Sequence, residues 1–268
     1  MSAPSTLPDS PGKQIRKRPP LLAYWRAFRH VSRRKARPAK PGAMTALEHL
    51  EELRIRLLKV GIALALTTSV SFIYSAQLVD VLTAPVGGRA GLASIEVTEN
   101  ISIFMRVTFL AGAVLGLPFV LYQAVAYIAP GLTPRERRWL YTLIPAMTFF
   151  FLAGVAFAWW VMVPVALPFL INFLGIPTHP RPLNYVSFVT SLLFWIGISF
   201  EMPLVVFFLA KLKWVTAGQL VRGWRYAFMG IATVAALVTP TVDPINMALV
   251  MLPLLVLYLI SIVLARMA

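Results

Sequence analysis

Residues 185 to 210 read YVSFVTSLLFWIGISFEMPLVVFFLA, a run in which Glu201 is the one charged side chain. An α-helix needs about 20 mostly apolar residues to cross the ~30 Å hydrocarbon core of a bilayer. A helix apolar on every side has to be buried, in a large core or in lipid. The same ruler run along the chain predicts six spanning helices, at about 57 to 76, 103 to 126, 140 to 165, 185 to 210, 223 to 239 and 245 to 264. The fifth is bounded by Arg222 or Arg225 and by Pro240, so it and the sixth are expected to be short, crossing a thinned or partly protein-lined region. The fold class read from this pattern is an all-α membrane protein.

Composition agrees. Of 268 residues, 59% are hydrophobic and 13% charged, and the mean hydropathy is +0.76, whereas soluble domains carry about 25% charge. There is no cysteine, which excludes a disulfide framework and thiolate metal sites. A net charge of +15 would ordinarily point to nucleic acid, but 14 of the 25 lysines and arginines lie within the first 59 residues. The others cluster between apolar runs as topology determinants do, so nucleic acid is discounted. Residues 1–43 mix seven prolines with bases such as Arg16, Arg33 and Lys35 and have too little apolar surface for a core. They are read as a disordered cytoplasmic tail ahead of a membrane domain at 44–268. No apolar stretch follows this basic region directly, so it is not a signal peptide.

Basic residues also orient the spans. Arg135, Arg137 and Arg138 follow the second span, and Lys211, Lys213, Arg222 and Arg225 follow the fourth; the alternate connections hold only Arg89, Arg106 and Arg181. Cytoplasmic loops carry the excess of Lys and Arg, so both termini are expected in the cytoplasm. The connection 77–102 is long enough to form short helices capping the outer side.

With ten acids in the chain, each one near the membrane asks for a reason. An ionised Glu201 inside the fourth span costs about 2.5 to 3.5 kcal/mol even on translocon scales. Pro203 lacks an N–H and frees the Ser199 carbonyl, inviting a kink that brings polar groups to a wet surface. The bland alternative is a protonated acid hydrogen-bonded to a neighbouring helix. At the inner surface HLEELRIRL (49 to 57) is an amphipathic helix with acid–base pairs such as Glu52 and Arg56. Glu136 stands alone among bases in the loop 121 to 138: either it neutralises its neighbours, or it joins Glu52 in receiving a partner's guanidinium groups, which pair with carboxylates as a planar fork. Asp243 before Pro244 suits a helix N-cap. His30, His49 and His179 are too scattered for a metal site, and no nucleophile elbow, Walker A or HExxH sequence occurs. No cofactor or enzymatic activity is expected. A proton-coupled small-molecule carrier titrating Glu201 is the main rival, but no inverted repeat or matched pair of broken helices is visible. An intramembrane protease would need a nucleophile with its base, or two aspartates, within the membrane.

HLEELRIRL at 49 to 57, Thr83-Ala84-Pro85, LYQAVAYIAPGLTPRERR at 121 to 138, Ser199-Phe200-Glu201-Met202-Pro203, and Thr239-Pro240 with Asp243 occur in this order. Over about four-fifths of the chain they closely resemble the TatC family, the multispanning core of the twin-arginine translocase. That resemblance implies a curved, glove-like scaffold of six helices in a bacterial or archaeal cytoplasmic membrane. Such a scaffold receives the twin-arginine signal peptides of folded substrates and assembles, with further copies of itself, with single-span TatA-type and TatB-type subunits. It also implies that Glu52 and Glu136 engage the arginine pair, with Arg54 and Tyr127 in the same surface. By the same resemblance Glu201 is the intramembrane acid, and Pro85, Gln123, Thr239, Pro240 and Asp243 belong to assembly regions. Tyr127, where many relatives have phenylalanine, and Met247, where many have glutamine, depart from the pattern.

Overall fold

No proline interrupts residues 46 to 73, and the amphipathic stretch and the apolar run behind it form one continuous helix, α1 (Ala46–Ile73). The first span had been placed from 57; the helix begins eleven residues earlier, because the charged turns and the apolar turns share one helical register. A computed structural model describes residues 46–92, 94, 96, 98–171, 181–239 and 244–268. The predicted tail, His30, His179, Pro240 and Asp243 lie outside the described residues.

The connection after α1 holds the short helix α2 (Ser75–Thr83) and two 3₁₀ turns, Ala84–Val86 and Arg89–Gly91. Gly87 and Gly88, at φ 86° and 75°, take the left-handed backbone that closes the first turn, where side chains are strained. Helix α3 (Glu99–Ile128) follows, 30 residues and roughly 45 Å long. Helix α4 (Pro134–Phe157) runs through a π-turn, Ala158–Met162, into α5 (Val163–Ile171). Pro164 is the cause we assign to that turn: it cannot donate to Trp160, and the N–H of Val163 reaches back five residues to Ala158. Helices α6 (Pro182–Phe200) and α7 (Met202–Lys211) are interrupted at Glu201, where the Glu-Met-Pro sequence predicted a kink. Then come α8 (Ala217–Arg222), α9 (Trp224–Val238) and α10 (Pro244–Met267).

Among the described residues five stretches are long and apolar enough to cross a membrane: Leu47–Ile73, Glu99–Gly131, Pro134–Pro168, Pro182–Lys211 and Pro244–Met267. The expected fifth of six spans is α9, with 15 residues and roughly 22 Å. Its successor α10, expected to be short as well, has 24 residues and roughly 36 Å.

In lipid, helices gain little from hydrophobicity against one another and associate through close van der Waals packing and interhelical hydrogen bonds. The longest contact is between α1 and α3. Arg56 faces Gln123 and Thr67 faces Gly112 across it, an antiparallel register. Gly112 and Gly116, one turn apart, let the two backbones meet: a Cβ on Gly112 would lie 2.7 Å from Thr68 Cα. The Thr67 hydroxyl donates to the Gly112 carbonyl at 2.8 Å. Helix α6 is central, packing on α3 and α4, with Val186, Val189 and Leu192 wholly buried. Helix α10 packs on α7, α8 and α9. The Tyr185 hydroxyl donates to the Leu82 carbonyl at 2.7 Å, tying α2 to α6.

Candidate functional site

His49, Glu52 and Arg56 fall on one face of α1 by helical spacing, and Gln123 and Tyr127 on one face of α3. The antiparallel register brings the two faces together. The Arg56 guanidinium donates to Glu52 Oε1 from Nε at 2.9 Å and Nη2 at 2.5 Å, and from Nη1 to Gln123 Oε1 at 3.2 Å. The His49 ring stacks on the Tyr127 ring, centroids 4.2 Å apart and planes inclined by 16°. Gln123 is buried, Tyr127 half-buried. Glu52 Oε2 is buried and has no hydrogen-bond partner among the described residues; His49 Nδ1 lies 4.0 Å from it. An acceptor left in that state costs about 1 to 3 kcal/mol, which a donor arriving from outside would recover. The Glu52 side chain as a whole keeps 19% of its surface exposed, with Oε2 on its covered side.

Glu136 sits at the same end of the bundle, since only Ala129–Thr133 separate the end of α3 from the start of α4. Thr133 caps α4, with Pro134 in the first helical position. The Thr133 N–H and hydroxyl both donate to Glu136 Oε2 at 2.8 Å, and the Glu136 N–H donates back to Thr133 Oγ1 at 3.4 Å. The acid therefore has a structural duty, and its Oε1 stays outside the cap. Thr133-Pro134-Arg135-Glu136 carries the capping-box spacing, a signal the sequence reading passed over.

Arg54 is not part of this cluster. Two residues from Glu52 is about 200° around the helix, and Arg54 lines a shallow apolar groove with Leu50, Leu53 and Leu58. Glu201 sits in the α6–α7 break, 8% exposed, and neither carboxylate oxygen has a hydrogen-bond partner among the described residues. The bland reading of this acid, a hydrogen bond to a neighbouring helix, finds no acceptor or donor there. Pro85 is exposed in the first 3₁₀ turn. Thr239 is buried at the end of α9, its hydroxyl donating to the Ala235 carbonyl at 3.0 Å.

One further polar group was not anticipated. Arg181, just ahead of α6, donates from Nε to Glu99 Oε1 at 3.0 Å, pairs with the same carboxylate through Nη2, and reaches Glu96 Oε1 at 3.0 Å. Ser94 donates to Glu99 Oε2 at 3.1 Å. The Glu99 hydrogen bond is the largest reason the Arg181 pKa is raised above its ordinary value. The partners are 82 residues apart in sequence, and no local pattern announces them. Among the described residues no group of three or more His, Asp or Glu is placed to hold a metal ion.

The family model described as Sec-independent protein translocase protein (TatC) matches residues 48–253, which include every residue of the α1–α3 cluster and both ends of the α3–α4 connection. The chain is 39% identical over 241 residues to a Sec-independent protein translocase protein TatC of Deinococcus radiodurans, covering 86% of this chain and 89% of that one. It is 33% identical over 264 residues to a chloroplastic Sec-independent protein translocase protein TATC of Arabidopsis thaliana, covering 96% and 77%. Two crystal structures of the twin-arginine translocase receptor TatC superpose with TM-scores of 0.73 and 0.75, each at 31% identity and over 99% of the solved chain, covering 82% and 81% of this one. The helices that carry Glu52, Gln123, Tyr127 and Glu136 thus lie inside a shared sequence and a shared fold, and the chain belongs to the TatC family of Sec-independent protein translocase proteins.

Proposed function

We propose that this protein is the receptor subunit of a twin-arginine translocase in a bacterial or archaeal cytoplasmic membrane, and that it is not an enzyme. In this reading six helices cross the membrane, α9 being the short one, with both termini in the cytoplasm, as in the curved scaffold the family resemblance implies. Arg135, Arg137, Arg138, Lys211, Lys213, Arg222, Arg225 and Arg266 then lie at one end of the bundle, which the excess of bases marks as cytoplasmic. The acids Glu52 and Glu136 belong to that end. They receive the arginine pair of a signal peptide, and bound signal recruits single-span TatA-type and TatB-type subunits, alongside further copies of the chain, for export of the folded substrate driven by the proton-motive force. Pro85, Thr239, Pro240 and Asp243, with the last two helices, serve this assembly. Gln123 serves it as well, and its hydrogen bond from Arg56 also orders the acid site.

The observation that carries the reading is the unsatisfied Glu52 Oε2, on a side chain that keeps 19% of its surface exposed, beside a guanidinium that already occupies Oε1. A second guanidinium completes the carboxylate; a lysine ammonium, with no fork, does so poorly. The test is crosslinking of the detergent-purified protein to a twin-arginine signal peptide and to its lysine-pair counterpart, in wild type, Glu52→Gln and Glu136→Gln. Glutamine at 136 can still close the capping box, so that variant removes charge and spares the helix start. We expect arginine-dependent binding to weaken about tenfold in Glu52→Gln, the worth of one charge-assisted hydrogen bond, and to vanish in the double variant. Equal crosslinking of arginine and lysine peptides to wild type would overturn the receptor reading.

A further inference from the structure

Arg137 and Arg138 are exposed on the first turns of α4 and have no acidic partner among the described residues. The nearest acid in sequence, Glu136, is taken up by Thr133. The same capping box serves the N–H groups of the helix start, so what remains here is a side-chain site and not a helix terminus. Pro134, Arg137, Arg138, Tyr141 and Thr142 line a shallow cavity of about 460 Å³, and the Arg137 guanidinium lies over the Tyr141 ring, 5.8 Å from its centroid. Stacking of this kind holds a guanidinium in place without using its N–H donors. Two forks of donors and a tyrosine hydroxyl thus line one opening, beside a Thr142 hydroxyl that donates to the Arg138 carbonyl at 3.0 Å.

Below the cavity the helix surface changes character. Arg138, Thr142, Pro145, Phe149 and Leu152 recur at alternating steps of four and three and are all exposed, with Phe149 68% and Leu152 46% so. Positions spaced this way form one stripe along a helix. The stripe is cationic at its end and apolar along the membrane-crossing part of α4. Its chemistry is complementary to a molecule with an anionic head and a hydrocarbon tail.

We infer that the Arg137–Arg138 cavity and the stripe beneath it are a binding site for one anionic phospholipid, its phosphate held by the two guanidinium groups with Tyr141, and its acyl chain lying along Pro145, Phe149 and Leu152. The inference is independent of signal recognition and concerns the protein without any peptide. The bases Arg222 and Arg225 elsewhere at this end do not line this opening.

The test is native mass spectrometry of the delipidated full-length protein in detergent, titrated with phosphatidylglycerol or phosphatidylcholine. It compares wild type, Arg137→Gln/Arg138→Gln and, as a basic control, Arg222→Gln/Arg225→Gln. Each arginine near an anionic headgroup is worth about fivefold in affinity, so we expect phosphatidylglycerol binding to weaken roughly 25-fold in the first variant and to hold in the control. In wild type we expect dioleoyl-phosphatidylglycerol to bind more tightly than the dihexanoyl form, and millimolar inorganic phosphate not to displace it. Equal weakening in both variants would mean a diffuse basic surface and overturn the site. So would equal affinity for phosphatidylcholine, or displacement by free phosphate together with no effect of chain length. The chain-length and phosphate measurements use unaltered protein, so they decide the matter even if a variant fails to fold.

Discussion

The imidazole of His49 lies flat against the ring of Tyr127, 4.2 Å between centroids, and this contact lies beyond the Arg56–Gln123 hydrogen bond, by one turn of α3 and two of α1. Stacked aromatic pairs contribute about 0.5 to 1.5 kcal/mol beyond the area they bury. Tyr127→Phe keeps the stack and is expected to leave thermal stability in detergent and signal binding unchanged. Tyr127→Ala is expected to lower the melting temperature and to weaken signal binding, because α1 loses the contact that sets the height of Glu52. Loss of binding in Tyr127→Phe as well would assign the role to the hydroxyl instead of the ring.

Helix α1 meets α3 through Gly112 and Gly116, and the two kinds of contact there differ in size. Thr67→Val removes the hydrogen bond to the Gly112 carbonyl and keeps the shape, for an expected cost of about 0.6 kcal/mol, the typical worth of such a bond in a membrane protein. Gly112→Leu has nowhere to place its side chain, since even a Cβ would come within 2.9 Å of the Thr68 backbone nitrogen. We expect Thr67→Val to purify normally and Gly112→Leu to be recovered in low yield or aggregated on size-exclusion chromatography. Normal recovery of Gly112→Leu would mean that α1 can leave α3 without unfolding the domain.

Much of this fold is legible in one dimension. The presence and order of the long helices follow from apolar length, though the start of α1 does not, and the break at Glu201 follows from the proline two residues on, because both are local properties. The Thr133–Glu136 cap and the Gly112–Gly116 spacing are local too; both patterns were present, and neither was used. What no local pattern reveals is register. That Gln123 faces Arg56 depends on how far α3 slides along α1, and that Glu52 rather than Arg54 faces α3 depends on the rotation of α1 about its axis. The Arg181–Glu99 pair lies beyond sequence reasoning for the same reason, joining two connections that are adjacent only after α3 and α6 have packed.

That pair is unequally shared. The Glu99 side chain is fully buried while Arg181 keeps 38% of its side chain exposed, so the two deletions differ in what they strand. Glu99→Gln leaves an arginine that water can reach. Arg181→Ala leaves a carboxylate inside the protein with its cation gone, and breaking a buried pair by removing the exposed partner is the costlier direction. We expect the melting temperature to fall further in Arg181→Ala than in Glu99→Gln. The reverse order would show that the guanidinium, with its second bond to Glu96, is the group that needs its partner.

Glu201 supplies the sharpest separation of stability from function. A buried carboxyl with no hydrogen-bond partner among the described residues lowers stability relative to an apolar side chain of similar volume, and groups retained at such a cost mark functional sites more often than structural ones. Glu201→Leu is therefore expected to raise the melting temperature of the purified protein while reducing export of a twin-arginine reporter in cells. Glu201→Gln, which keeps the shape and polarity and loses the ionisable group, is expected to reduce export as well. Full export by Glu201→Leu would leave the acid without a part in transport. A lowered melting temperature in Glu201→Leu would mean instead that the carboxyl has a stabilising partner in the folded protein.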